Sequence, residues 1–213
     1  MIAIVDYGMG NLASVYKAML YIGQDAMITS DPAELLKADA VILPGVGAMS
    51  AAMMNLQTAG LQDALFEVVE RQKPLLGICL GMQMLFETSQ EGAMSFKNHV
   101  STTCDSESLV KGLGILKGEV IKLPAFPDIK IPHMGWNQLV ETKGNLYKEG
   151  KSVYFVHSYC ASPLDPSIIT AKAFHGIHFA ASVEMGSITA MQFHPEKSGD
   201  VGLDILRAWV GTF

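Results

Sequence analysis

The chain begins with a short unbroken apolar run, Ile2–Val5, which meets Asp6 at once. A run that is apolar at every position predicts a strand covered on both faces, the pattern of a buried parallel sheet. Behind it Leu12, Val15, Tyr16, Met19 and Leu20 recur at helical spacing, with Asn11 placed as N-cap and Gly23 beyond the C-terminal end. Ala40–Leu43 reads as the next strand, stopped by Pro44-Gly45. Leu61, Ala64, Leu65, Val68 and Val69 outline an amphipathic helix, Pro74 ends it, and Leu75–Ile78 reads as a third strand. This alternation of strand and helix predicts a parallel sheet with helices on both faces.

The pattern then changes. Val120–Leu123, Val153–Val156, Ile177–Val183 and Ile188–Phe193 are short strand-like runs between turn residues, and helical spacing returns only at Asp200–Val210. Antiparallel strands are therefore expected to extend the sheet. Gly92–Gly112 is polar and weakly patterned, and reads as a long loop or insertion. With no repeat, linker or low-complexity tract, residues 1–213 are expected to form one α/β domain. Its architecture should be a flavodoxin-like three-layer one, with a central mixed, mostly parallel sheet flanked by helices.

Composition narrows the function classes. A net charge of −6 argues against nucleic acid as the main partner. The N-terminal residues lack the basic stretch and long apolar run of a signal peptide. The longest uncharged apolar-rich stretch, Ala40–Met54, is interrupted by Pro44, Gly45 and Gly47 and is too short to span a bilayer. The 3 cysteines, Cys79, Cys104 and Cys160, are an odd number without ligand-like spacing. That fits a reducing cytoplasm and gives no zinc signature.

The sharpest chemical signal is Gly77-Ile78-Cys79-Leu80-Gly81, between a strand and a helical stretch, Leu80–Phe86. Small residues two before and two after the cysteine match a nucleophile elbow, where the turn leaves no room for side chains. Such a turn presents the thiol at a helix N-terminus, which favours thiolate, and aims the Leu80 N–H toward a developing oxyanion. The plain alternative is a buried structural cysteine between packing glycines. Among 6 histidines, His194 stands at the end of an apolar run, stopped by Pro195 and followed by Glu196. A carboxylate there could accept the imidazole N–H and fix its tautomer, so Cys79, His194 and Glu196 make a complete triad. Pro44-Gly45-Val46-Gly47 follows a strand, and its backbone N–H groups could supply the second oxyanion donor, through Val46 or Gly47, beside Leu80. Gly8-x-Gly10 lacks the third glycine of a dinucleotide fingerprint.

Gly77-Ile78-Cys79-Leu80-Gly81-Met82-Gln83 together with His194-Pro195-Glu196 resembles the triad signature of class I glutamine amidotransferases. Four further segments are similar to the glutaminase subunits of imidazole glycerol phosphate synthase: Asp6–Asn11, Pro44–Ala48, Pro132–Asn137 and Tyr154–Tyr159. The resemblance runs through nearly the whole chain, and Gln192–Ser198 completes it. Cys160 departs from it, standing where a bulkier residue is expected. The resemblance implies a cysteine glutaminase that passes ammonia to a cyclase subunit as heterodimer partner, with neither metal nor organic cofactor. It implies that Gly47, Gln83, His157, Ser158 and Tyr159 bind glutamine, and that Asn11, Met134, Trp136 and Lys197 face the cyclase. Two other readings stand beside it. One is a peptidase or deglycase on the same kind of sheet, active without a partner; the other is a non-catalytic binding subunit.

Overall fold

The computed structural model describes residues 1–91 and 109–213; the Gly92–Gly112 segment up to residue 108, with Cys104, lies outside them. The described residues carry thirteen strands and six α-helices. In the main sheet β1 (Ile2–Val5) runs parallel to β2 (Ala26–Thr29) on one side and to β3 (Ala40–Gly45) on the other. β3 is parallel to β4 (Leu75–Cys79), and β4 to β13 (Ile188–Met191). β12 (Ile177–Met185) and β11 (Ile169–His175) close that edge antiparallel.

The unbroken apolar runs have a simple cause, because successive side chains enter different cores. Ala3, Val5, Val41, Leu43 and Leu75 point into one, and Ile2, Ile4, Ala40, Ile42, Leu76 and Ile78 into the other. The first core is closed by α2 (Pro32–Lys37), α3 (Met49–Thr58), α4 (Gln62–Glu70) and α5 (Leu80–Met84). The second is closed by α1 (Leu12–Tyr21) and α6 (Gly199–Val210), whose Trp209 is fully buried. Each large aliphatic side chain so covered contributes about 1.5–3 kcal/mol. No helix among the described residues is long and apolar enough to cross a membrane.

The second half departs from expectation in three ways. The Ile188 run is not antiparallel throughout, since β13 pairs antiparallel with β12 but parallel with β4. The Val120 and Val153 runs do not join the main sheet. β7 (Leu116–Lys122) belongs to a four-stranded sheet with β5 (Phe86–Ser89), β6 (Val110–Lys111) and β10 (Tyr159–Pro163). β9 (Ser152–His157) pairs antiparallel with β8 (His133–Gln138) alone. Finally, α5 stops at Met84, and Phe86, expected to be helical, starts β5. Short amphipathic strands bury one face wherever a partner lies, and their pattern carries no information about which sheet receives them.

Candidate active site

The site forms where the parallel strands end, at the carboxyl edge of β1, β3, β4 and β13. Cys79 is the last residue of β4 and turns the chain directly into α5, with φ +55° and ψ −108°. A non-glycine residue held there costs of order 1–3 kcal/mol, which the packing around it must offset. That packing is tight: a Cβ on Gly81 would lie 1.8 Å from the Leu43 carbonyl oxygen, and one on Gly77 would lie 3.0 Å from the Met82 nitrogen. Only glycine fits at the first position, because the obstacle is backbone. The elbow expected from the sequence is present in these details.

His194 lies beyond β13, held by its own N–H to the Tyr154 carbonyl at 2.9 Å. Its Nδ1–H donates to Glu196 Oε1 at 2.8 Å, with both side chains almost wholly buried. Ser198 stiffens the turn, its hydroxyl donating to the His194 carbonyl at 2.6 Å and accepting from the Tyr154 N–H at 2.9 Å. His194 Nε2 is buried and makes no hydrogen bond of ordinary geometry among the described residues. Burial works against an imidazolium here, but Cys79 and Glu196 outweigh it and raise His194 to about 9. A histidine charged at neutral pH and set against a thiol can deliver a proton to a leaving group and later retrieve one from water.

Cys79, Leu80, Val46, Gly47, Gln83, His157, Ser158, Tyr159 and His194 line one cavity of about 280 Å³. Gln83 commits its amide N–H groups to the Tyr159 carbonyl and Gln192 Oε1, both at 2.9 Å, so only its oxygen is left for a ligand. Two residues to which the sequence reading assigned no role lie beside these groups. Gln192 is fully buried and its Nε2 lies 3.6 Å from Cys79 Sγ; it sits two residues before His194, just past the end of β13. Glu91 reaches the cavity from a turn after β5, its Oε2 accepting the Met49 N–H at 2.8 Å. Burial raises the Glu91 pKa against the effect of that hydrogen bond. No local pattern marks Glu91.

His157 is placed at the cavity with both ring nitrogens engaged inside the protein. Its Nδ1 lies 2.8 Å from the Tyr159 carbonyl, which can only accept, so Nδ1 carries the hydrogen and Nε2 accepts from His133 Nδ1 at 3.0 Å. His133 Nε2 then accepts from Asn137 Nδ2 at 3.2 Å. Burial pushes His133 down to about 4 and His157 down to about 3, which keeps this chain neutral. His133 belongs to β8, which exposes the large apolar side chains of Met134 and Trp136. Asn11 is at the N-cap position of α1 but makes no side-chain capping bond; its Nδ2 lies 3.4 Å from Glu196 Oε1 instead. Lys197 is exposed, one residue past Glu196.

A thiol on a strained elbow and a charged histidine face one cavity, with a carboxylate behind the histidine, a set of groups suited to cysteine hydrolase or acyl-transfer chemistry. Residues 3–209 match the family described as glutamine amidotransferase class-I, and the chain belongs to that family. It is 48% identical over 210 residues to "Imidazole glycerol phosphate synthase subunit HisH" of Moorella thermoacetica, covering 97% of this chain and 92% of that protein. It is 45% identical over 213 residues to the protein of the same name from Methanothermobacter thermautotrophicus, covering 99% and 98%. Among solved structures, one titled "Crystal structure of glutamine amidotransferase" superposes with a TM-score of 0.73 at 20% identity, covering 99% of this chain and 98% of that one. "Structure of PurLQS from Thermotoga maritima" superposes with a TM-score of 0.69 at 17% identity, covering 99% and 97%. Both are likenesses of fold.

Proposed function

We infer that this chain is the glutaminase subunit of an imidazole glycerol phosphate synthase, one amidotransferase domain spanning residues 1–213 and working in the cytoplasm. It hydrolyses glutamine to glutamate and ammonia through a cysteine thioester. The ammonia passes to a cyclase subunit, which forms imidazole glycerol phosphate and AICAR in histidine biosynthesis. The observation that carries the reading is the strained Cys79 sharing a cavity with His194, which Glu196 holds from behind, in a chain of this family.

In this reading the Cys79 thiolate attacks the side-chain amide carbon of glutamine, and the carbonyl oxygen takes up the negative charge. The N–H groups of Leu80 and of Val46 or Gly47 stabilise that oxyanion. Collapse breaks the carbon–nitrogen bond, and ammonia leaves with a proton from His194 Nε2. The neutral His194 next takes a proton from water, whose oxygen attacks the thioester; a second oxyanion collapses to glutamate and regenerates the thiolate. Glu196 holds Nδ1 throughout and stabilises the imidazolium.

Gly47, Gln83, His157, Ser158 and Tyr159 form the glutamine pocket, with His157 acting through the wall that it braces. Glu91 is a carboxylate suited to the α-ammonium group of the substrate. Asn11, Met134, Trp136 and Lys197 form the face toward the cyclase. Cys79→Ser is expected to abolish glutamate release while leaving the circular dichroism spectrum unchanged, because a serine hydroxyl stays un-ionised beside His194. Cys160→Ser should retain turnover, since burial pushes the Cys160 thiol up to about 12 and leaves it inert. Near-parental glutamate release by Cys79→Ser would overturn the assignment.

A further inference from the structure

The segment that follows β1 lies along the whole glycine-rich loop after β3. The β1–β3 ladder ends at Ile4 and Ile42, while β3 goes on pairing with β4 as far as Gly45 and Cys79. Pro44 therefore sits past the reach of β1. A hydroxyl takes over: buried Tyr7, two residues beyond β1, donates to the Pro44 carbonyl at 2.9 Å. The same oxygen lies 2.9 Å from where a Cβ on Gly45 would stand, and that position is also 2.7 Å from the Gly81 nitrogen and 2.8 Å from Leu80 Cβ. Tyr7, Gly45 and the Cys79 elbow thus meet with no free space between them. Further along, Met9 Cε lies 2.8 Å from a Cβ placed on Gly47, whose φ is +92°. Burial raises the Tyr7 pKa and negative charge on Cys79 raises it further, so the hydroxyl stays protonated and remains a donor.

We propose that Tyr7 is a positioning residue of the glutaminase: by holding the Pro44 carbonyl it fixes the Pro44–Gly45 peptide and confines rearrangement of the oxyanion loop to the peptides after Gly45. The carbonyl and the Gly45 N–H belong to one planar unit, so fixing the first fixes the second. Gly45 cannot shift toward the elbow, because backbone already occupies that side. The freedom left is in the Gly45–Val46 and Val46–Gly47 peptides, whose N–H groups the oxyanion needs. The proposal rests on the glutaminase reading above.

Tyr7→Phe keeps the ring and removes the hydroxyl. Measured in the complex with the cyclase subunit, kcat for glutamate release is expected to fall about five- to tenfold, less than the roughly hundredfold loss of a donor itself. KM for glutamine should stay within about twofold. Alkylation of Cys79 by iodoacetamide, which develops no oxyanion, should run at the parental rate. Amide hydrogen exchange in the segment 43–47 should quicken without any change elsewhere in the sheet. Unchanged kcat, or unchanged exchange at this segment, would reduce Tyr7 to a partner for a buried carbonyl and overturn the proposal alone. Slowed alkylation would also overturn it, by showing that the elbow and not the loop is disturbed. A parental complex that released no glutamate would overturn the glutaminase reading and this proposal with it.

Discussion

At the residue scale, the site holds histidines in opposite charge states within one small volume, and the causes are separable. His194 has a buried carboxylate on one nitrogen and the Cys79 side on the other, and is raised to about 9. His133 and His157 hydrogen-bond to the Asn137 amide, the Tyr159 carbonyl and each other, with the His175 ring stacked on His133, and burial, helped by the neighbouring histidines, takes them to about 4 and about 3. Both remain neutral in the folded protein at pH 5, whereas in the unfolded chain, with pKa near 6.5, both are protonated. Unfolding at pH 5 therefore takes up about two protons at these two positions. Their contribution to stability is complete above about pH 6.5 and is lost as pH falls toward their folded values. His194 adds nothing to this slope, because it is protonated in both states there; its own contribution is lost above pH 6.5, as pH rises through 9. His133→Gln, which keeps an N–H donor for His157, should reduce the slope of unfolding free energy against pH near pH 5 by about one proton, or about 1.4 kcal/mol per pH unit. Urea titrations of the parent and the variant between pH 4.5 and 6.5 measure this. Equal slopes would mean that His133 is already protonated in the folded protein.

At the scale of the element, the Cys79 elbow depends on two strands and a helix closing to contact distance. A Cβ on Gly81 would stand 1.8 Å from the carbonyl oxygen of Leu43, which lies within β3 and pairs with Gly77 of β4. The Leu43 backbone cannot yield without breaking its ladder to β4. Gly81→Ala is expected to destabilise the fold by more than about 3 kcal/mol, the upper end of ordinary overpacking. Gly211→Ala, whose Cβ would meet nothing closer than 3.4 Å, should stay within about 1 kcal/mol. Urea unfolding of both variants tests the contrast, and similar midpoints would show that the elbow is looser than its geometry. β1, β3 and β4 were legible in the sequence because a strand covered on both faces is apolar at every position, and a pentad with a glycine at either end marked the turn between β4 and α5. α2 was not legible, although Asp31 caps it through the Ala33 N–H and Pro32 opens it, because with six residues it buries only Leu35 and shows no period. β8 escaped as well, since His133, Met134 and Trp136 do not read as an alternating strand. Glu91 reaches the cavity through tertiary folding alone, whereas Gln192 lies buried beside Cys79.

At the scale of the whole molecule, the cavity and the face proposed for the cyclase are two sides of the same few elements. β8 carries exposed Met134 and Trp136, and its His133 is hydrogen-bonded to His157 in the cavity wall. The Pro195–Lys197 turn carries Glu196 inward and Lys197 outward, and Asn11 at the start of α1 reaches the same Glu196. A partner that seats on Asn11, Trp136 and Lys197 would therefore press on the backbone that holds the triad. Ammonia released with no acceptor present is wasted, so turnover should depend on that contact. In the proposed mechanism the element with the freedom to respond is the loop after Gly45, where rotating one peptide would supply or remove an oxyanion donor. One such donor is worth about 3–4 kcal/mol of barrier, or two to three decades in rate. Binding that favours the competent orientation shifts the loop toward it. Glutamate release is therefore expected to be slowest for this subunit alone, faster with the cyclase, and fastest with the cyclase and its nucleotide ligand. Trp136→Ala should reduce the stimulation while leaving the unstimulated rate within about twofold. Steady-state rates under the three conditions decide the matter. Equal rates throughout would remove the coupling and leave a glutaminase whose oxyanion loop is complete without its partner.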